Sequence, residues 1–220
     1  MSLIVDLSDH NTPVASYPAL RDRCDGFYIK TTESDYFTAS SWPTHYNGLA
    51  GKPRAPYHFM GQRGNWASQV AKFVTQMNKA RWDWGPVLDV EFNSQVQAGS
   101  PTSADIRAWV AEFRRQTGLR FLYVYVGKSD LVGGCKPQDW IDGDMRIIAA
   151  RYYADNYGAA FANLGLDHPL LDGCQYWDAG NITGLSKPCD VNNFRAPLIS
   201  SWNYGPKPTA NNQQFLLLNG

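Results

Sequence analysis

The sequence carries no excess of charge: 20 Lys and Arg balance 20 Asp and Glu across 220 residues. A nucleic-acid binder would show a basic surplus, so that class is set aside. Long apolar runs are missing too. No stretch approaches the roughly 18 apolar residues of a membrane-spanning helix, and no membrane partner is expected. The opening residues Met1 to Asp6 lack the basic n-region and long apolar h-region of a signal peptide. Cysteine is scarce, at positions 24, 135, 174 and 189, with neither a CxxC pair nor a Cys/His cluster. No metal site is therefore expected. Cys24 and Cys135 read as free buried thiols. Cys174 and Cys189 are expected near one another, although spacing alone does not establish a disulfide. Internal repeats and low-complexity segments are absent as well.

What the chain does have is apolar mass. Hydrophobic residues make up 44% and charged residues 18%, enough for a sizeable core in one domain. Aromatics reach 14%, with 8 Trp and 12 Tyr. They suit either a well-filled core or a cleft whose ring faces pack on sugars. Short apolar runs alternate with helical or polar stretches. Strands are predicted at Leu3–Leu7, Gly26–Thr31, Arg54–Phe59, Pro86–Phe92, Arg120–Val126, Met145–Ala150 and Gly173–Trp177, with a weaker eighth at Asp190–Phe194. Two helices are well signalled. Asn65 is expected to cap one with Trp66, Val70, Phe73, Val74 and Met77 on one face; Ser103 is expected to cap another with Ile106, Trp109, Val110 and Phe113, stopped by Gly118. Strands alternating with helices imply parallel pairing. The helical signal fades after about residue 145. The expected fold is an α/β class, irregular β/α barrel of eight mainly parallel strands, with helices missing in the C-terminal part. The catalytic domain is placed at 1–202. Residues 203–220 have the composition of a tail or linker, suited to leading to a module outside this chain.

The strongest local feature is Pro86-Val87-Leu88-Asp89-Val90-Glu91-Phe92. Side chains alternate along a strand, so Leu88, Val90 and Phe92 share a face that packs under helices, while Val87, Asp89 and Glu91 share the other. The two acids have Cα atoms roughly 6.6 Å apart. Both point into the barrel near the C-terminal rim, where such barrels place active sites. Like charges crowded in a partly buried place push one pKa upward, which a general acid needs. The first strand repeats the pattern with Ile4, Asp6 and Ser8 on one face. Tyr28, Lys30 and Thr32 are expected to share a face on the second strand, with Lys30 paired to one of these acids. Tyr123 and Tyr125 align on the fifth strand, and Asp190 stands at the head of the last.

In order, the chain reads Asp6-Leu7-Ser8-Asp9-His10-Asn11, Tyr28-Ile29-Lys30-Thr31-Thr32-Glu33, Pro56-Tyr57-His58-Phe59, Asp89-Val90-Glu91, Ala150-Arg151-Tyr152, Cys174-Gln175-Tyr176-Trp177 and Asp190-Val191-Asn192. This series resembles glycoside hydrolase family 25, the lysozymes often found as phage endolysins, over most of residues 4–195. The resemblance implies a barrel with missing late helices. It implies cleavage of the β-1,4 bond between N-acetylmuramic acid and N-acetylglucosamine of peptidoglycan, without a cofactor. Glu91 matches the general acid and Asp89 its partner; Asp6 and Asp190 match two further acids. Lys30, Tyr57 and Tyr125 match cleft residues, and Tyr152, Gln175 and Trp177 are the remaining substrate-binding candidates. The chain departs from the family pattern at Thr32, Pro56 and Cys174, changes expected to touch the walls of the site. The implied partner is the bacterial glycan strand. With no net charge to draw it to an anionic wall, affinity would come from shape or from a wall-binding module outside this chain. A monomer is expected, made in a host cytoplasm and released at lysis to act on the cell wall.

Three other readings stay open at this point. A non-catalytic wall-glycan binder would gain nothing from buried, mutually repelling acids. A chitinase-like glycosidase would carry a longer acid ladder on one strand. A metal hydrolase would have to assemble His10, His58 and Asp6, which are scattered in sequence.

Overall fold

The computed structural model describes residues 2–61, 64–91, 101–127, 135–153, 156–164 and 168–194. Eight strands close into a barrel: β1 (Ser2–Leu7), β2 (Gly26–Glu33), β4 (Arg54–Phe59), β5 (Val87–Val90), β6 (Leu122–Gly127), β7 (Met145–Ala150), β8 (Leu171–Gly180) and β9 (Cys189–Phe194). The short β3 (Phe37–Thr38) folds back on the end of β2. Pairing is parallel from β1 through β2, β4, β5, β6 and β7 to β8. It is antiparallel between β8 and β9 and between β9 and β1. The switch has a simple cause: the segment 181–188 is shorter than the dozen or so residues a parallel crossover needs, so the chain can only turn back.

Alternation sorts the side chains into two layers. Ile4, Tyr28, Ala55, Val87, Tyr123, Tyr125, Ile148 and Phe194 form the apolar part of the barrel interior with Trp84. Val5, Leu7, Ile29, Leu88, Val90, Val124 and Ile147 form the outer layer, under the helices. The Leu88/Val90 and Val87/Asp89 faces are thus divided as the alternation predicts; Phe92 lies outside the described residues. Two glycines make room for the floor of the barrel. A Cβ on Gly26 would lie 2.3 Å from the Trp84 ring, and one on Gly173 would lie 2.6 Å from the Phe194 ring.

The outer layer is covered by α3 (Trp66–Met77) and α4 (Ser103–Thr117), with α1 (Tyr17–Arg23) and α2 (Trp42–Gly48) earlier in the chain. Both well-signalled helices exist, but their caps differ from expectation. Asn65 makes no capping bond and donates to Asp35 at 3.1 Å instead. Thr102, not Ser103, caps α4, because Asp105 returns the bond to Thr102 and completes a capping box. Gly118 ends that helix in the left-handed region, φ 69°. Beyond residue 145 the only described α-helix is the short α5 (Tyr157–Ala162).

Two of the register shifts in the barrel redirect residues expected at the site. The β2–β4 register shifts between Lys30 and Thr32. Thr32 therefore faces outward with His58, to whose Nδ1 its hydroxyl is 2.8 Å away, and Glu33 takes the inward position. The second shift lies in β8 between Gln175 and Trp177. All four cysteines are buried and free. Cys174 and Cys189 do lie on adjacent strands, but Cys174 stands opposite Asn193 and Cys189 opposite Gly180. They are separated along the ladder, so the expected proximity does not hold. The segment 203–220 lies outside the described residues.

Candidate active site

The C-terminal ends of the parallel strands open onto a cavity of about 440 Å³. Asp6, Lys30, Tyr57, Asp89, Glu91, Tyr125, Tyr152, Gln175 and Asp190 all line it. Trp177 does not. The bulge after Gln175 turns its side chain onto the outer apolar cluster, beside Val191 and Gly180. Thr32, Pro56 and Cys174 are likewise not cavity residues, so the departures from the family pattern touch the outer layer rather than the walls of the site.

Asp6 and Asp190 meet across the β1–β9 seam and hydrogen-bond to each other. Asp6 Oδ2 also accepts from Gln175 Nε2 at 3.1 Å and Asn192 Nδ2 at 2.8 Å. Burial, then the charge of Asp190, hold Asp6 well above the usual carboxylate range. Burial pushes Asp190 up to about 6. For Asp6 the neighbouring carboxyl adds to the effect of burial, whereas for Asp190 the hydrogen bond with Asp6 works against it.

On β5, Asp89 is held well above the usual range by burial first and by Glu91 second, while Lys30 pulls the other way. Its Oδ1 is buried and has no hydrogen-bond partner. Lys30 Nζ is 2.6 Å from Glu33 Oε2 and lies 4.7 Å from the Phe59 ring centroid. The ion pair of Lys30 is thus with Glu33, which the bulge in β2 brings inward, in place of the pairing expected with an acid of β1 or β5.

Glu91 follows β5 and sits 3.1 Å from the Tyr125 hydroxyl. Tyr125 lies 2.7 Å from Gln175 Oε1, and Tyr152 lies 2.8 Å from the same oxygen. A chain of polar contacts thus runs Glu91, Tyr125, Gln175, Asp6, Asn192. Tyr57 faces the acids as well: burial, then Asp6, Asp89, Asp190 and Glu91, raise its pKa. These groups can present a proton at Glu91 and an acceptor at Asp89 to the same small region of the cavity.

Reasoning from sequence missed Glu33, Phe59, His10, Asp178 and Asn192, all of which line the cavity. Asn192 had a usable signal, since it shares a strand face with Asp190. His58 is not in the cavity. It stacks 5.3 Å from Trp109 on the outer side of β4, opposite to the Asp6 side, so His10, His58 and Asp6 are not brought together.

The family model for glycosyl hydrolases family 25 matches residues 5–185. The fold is similar to the catalytic domain of endolysin ply40 from bacteriophage P40 of Listeria monocytogenes, with TM-score 0.76 and 20% identity, covering 93% of this chain and 98% of that one. It is also similar to a family 25 glycosyl hydrolase from Bacillus anthracis, with TM-score 0.74, 17% identity and coverage of 93% and 94%. A bacterial lysozyme from Streptomyces coelicolor follows at TM-score 0.69, 20% identity and coverage of 92% and 97%. A search of curated proteins finds no match. With the barrel, the acid-lined rim and the family match over residues 5–185 in agreement, the chain belongs to glycosyl hydrolases family 25 and is a glycoside hydrolase.

Proposed function

We propose that the protein is a lysozyme-type N-acetylmuramidase that cuts the β-1,4 bond between N-acetylmuramic acid and N-acetylglucosamine with retention of configuration. The observation that carries this reading is the pair at the end of β5: Glu91 beside a tyrosine hydroxyl, and Asp89 with one buried oxygen left without a partner. Similarity to proteins described as an endolysin and a lysozyme supports the choice of substrate.

Glu91 gives its proton to the glycosidic oxygen as the C–O bond breaks. The acetamido oxygen of the same sugar attacks the anomeric carbon and forms a cyclic oxazolinium. The acetamido N–H donates to Asp89 Oδ1, which fixes the group for attack and stabilises the positive charge that develops. Water then opens the ring, giving its proton to the Glu91 carboxylate, and the enzyme returns to its starting state. Asp89 and Glu91 project from one wall of the barrel and approach the sugar from one side. Inversion would need a water activated from the opposite face, with carboxyls roughly 6.5–9.5 Å apart. A glycan binder without activity is disfavoured, because burying repelling carboxylates costs stability and would bring such a protein nothing.

The test is Glu91→Gln with folding confirmed by circular dichroism, together with proton NMR of the earliest products of the unmodified enzyme. Wall lysis should fall by about 10²–10⁴-fold. The first-formed reducing end should be the β-anomer. Near-normal turnover in the variant removes Glu91 as the acid, and a first-formed α-anomer removes the acetamido route.

A further inference from the structure

Three short polar contacts converge near Glu91, and too few protons are available to make all of them with Tyr125 as donor. Gln175 Oε1 can only accept, yet it lies 2.7 Å from the Tyr125 hydroxyl and 2.8 Å from that of Tyr152. Each contact consumes the single proton of its tyrosine. The orientation of the Gln175 amide is set from its other end, where Nε2 donates to Asp6 Oδ2, an oxygen that also receives the Asn192 amide. An oxygen accepting two amide donors fixes Gln175 with its carbonyl toward the tyrosines. Tyr125 therefore has no proton left for Glu91 Oε1, 3.1 Å away.

We infer that Gln175 is a positioning residue that fixes the direction of the hydrogen bond at the acid: it takes the Tyr125 proton, so that the Tyr125 oxygen accepts from a protonated Glu91. The inference rests on the muramidase reading only for its meaning in catalysis; the hydrogen-bond assignment stands on geometry.

The surroundings agree. Among the described residues, the groups that face Glu91 include Asp89 on its own strand segment, Tyr57 from β4, Tyr125 from β6 and Tyr152 after β7, with Lys30 from β2 acting on Asp89. Lys30 favours the ionised form of Asp89, while the Tyr125 oxygen, its own proton spent on Gln175, is placed to accept from Glu91. Both tyrosines keep their protons, being pushed upward chiefly by burial.

The experiment combines pH profiles of kcat/KM on purified walls with infrared difference spectra that need no turnover. If Tyr125 accepts from Glu91, then Tyr125→Phe destabilises the protonated acid, and the alkaline limb moves to lower pH by about one unit. If Tyr125 instead donates to an ionised Glu91, the limb moves to higher pH and the inference is wrong. Gln175→Leu frees the Tyr125 proton to turn toward the Glu91 carboxylate, and should also lower the limb. With Phe at 125, residue 175 has no handle on Glu91, so Gln175→Leu adds no further shift; an additive double variant overturns the coupling. Spectra taken near pH 6 should contain a carboxylic-acid C=O band that is absent from Glu91→Gln and weakened in Gln175→Leu. A band equal in the parent and Glu91→Gln proteins overturns the inference whether or not walls are cut. Failure of wall cleavage with the band present leaves the proton assignment intact and removes the muramidase reading.

Discussion

His58 should make the domain lose stability on mild acidification, and the size of the loss follows from its surroundings. The ring is fully buried, 5.3 Å from Trp109 and 5.5 Å from Phe73. Its Nδ1 accepts from the Thr32 hydroxyl at 2.8 Å, which leaves Nε2–H to donate to Gln69 Oε1 at 3.2 Å. Both nitrogens are satisfied by the neutral ring; protonation would turn the Thr32 hydroxyl round to accept from Nδ1–H and would place a charge among buried aromatic rings. Burial pushes its pKa down from 6.5 to about 3. The unfolded chain therefore takes up this proton near pH 6.5, while the folded protein resists until about pH 3. The contribution is complete above pH 6.5 and falls by about 1.4 kcal/mol per pH unit below it, about 2 kcal/mol by pH 5. The carboxyls with raised pKa act in the opposite sense, so the parent curve alone mixes the two. Comparison with His58→Phe separates them. At pH 7.5 the variant should be less stable by about 1–3 kcal/mol, since Thr32 and Gln69 lose their imidazole partner. Urea unfolding between pH 7.5 and 4.5 should show the gap closing at the slope given above. A gap that stays constant over that range would refute a buried neutral imidazole.

Asp190→Asn should cost activity and gain stability: its carboxyl is raised to about 6 mainly by burial, so at pH 7.5 the amide should stabilise by about 1–3 kcal/mol, fading toward pH 5. Chemical unfolding at both pH values checks this; equal effects at the two would contradict it. Thiol titration without reductant should find four reactive groups in denaturant and almost none in the native protein, since all four thiols are buried and burial pushes Cys24 and Cys174 up to about 12. Rapid native labelling, or a count below four after denaturation, would contradict the structure.

The parts of the fold legible in the sequence are those where strict alternation holds. Val87, Asp89, Leu88 and Val90 sort to their faces without error because β5 is a regular strand paired on both sides. The same holds for Ile4 and Asp6 on β1. Legibility ends at bulges. One inserted residue after Lys30 sends Thr32 outward and Glu33 inward, and nothing in Lys-Thr-Thr-Glu marks where the insertion falls. Trp177 is lost to the site for the same reason. The α4 cap was displaced by one residue because Ser103 and Thr102 are both good caps, and only the return bond from Asp105 decides between them. Partners from distant strands were also out of reach: no local pattern links Asn192 to Asp6.

The antiparallel closure has a consequence for the order of events during synthesis. Asp6 belongs to the first strand, whereas Asp190 and Asn192, which meet it, belong to the last. A nascent chain that has built β1 through β8 already holds Asp89, Glu91 and Tyr125, yet one wall of its cleft is missing. That wall arrives only when Cys189–Phe194 leaves the ribosome and inserts between β8 and β1. Closing the ladder joins residues 186 positions apart, a contact whose loop-closure cost is high. Until then the cluster around Asp6 is incomplete, so the completion of the cleft waits on the final strand.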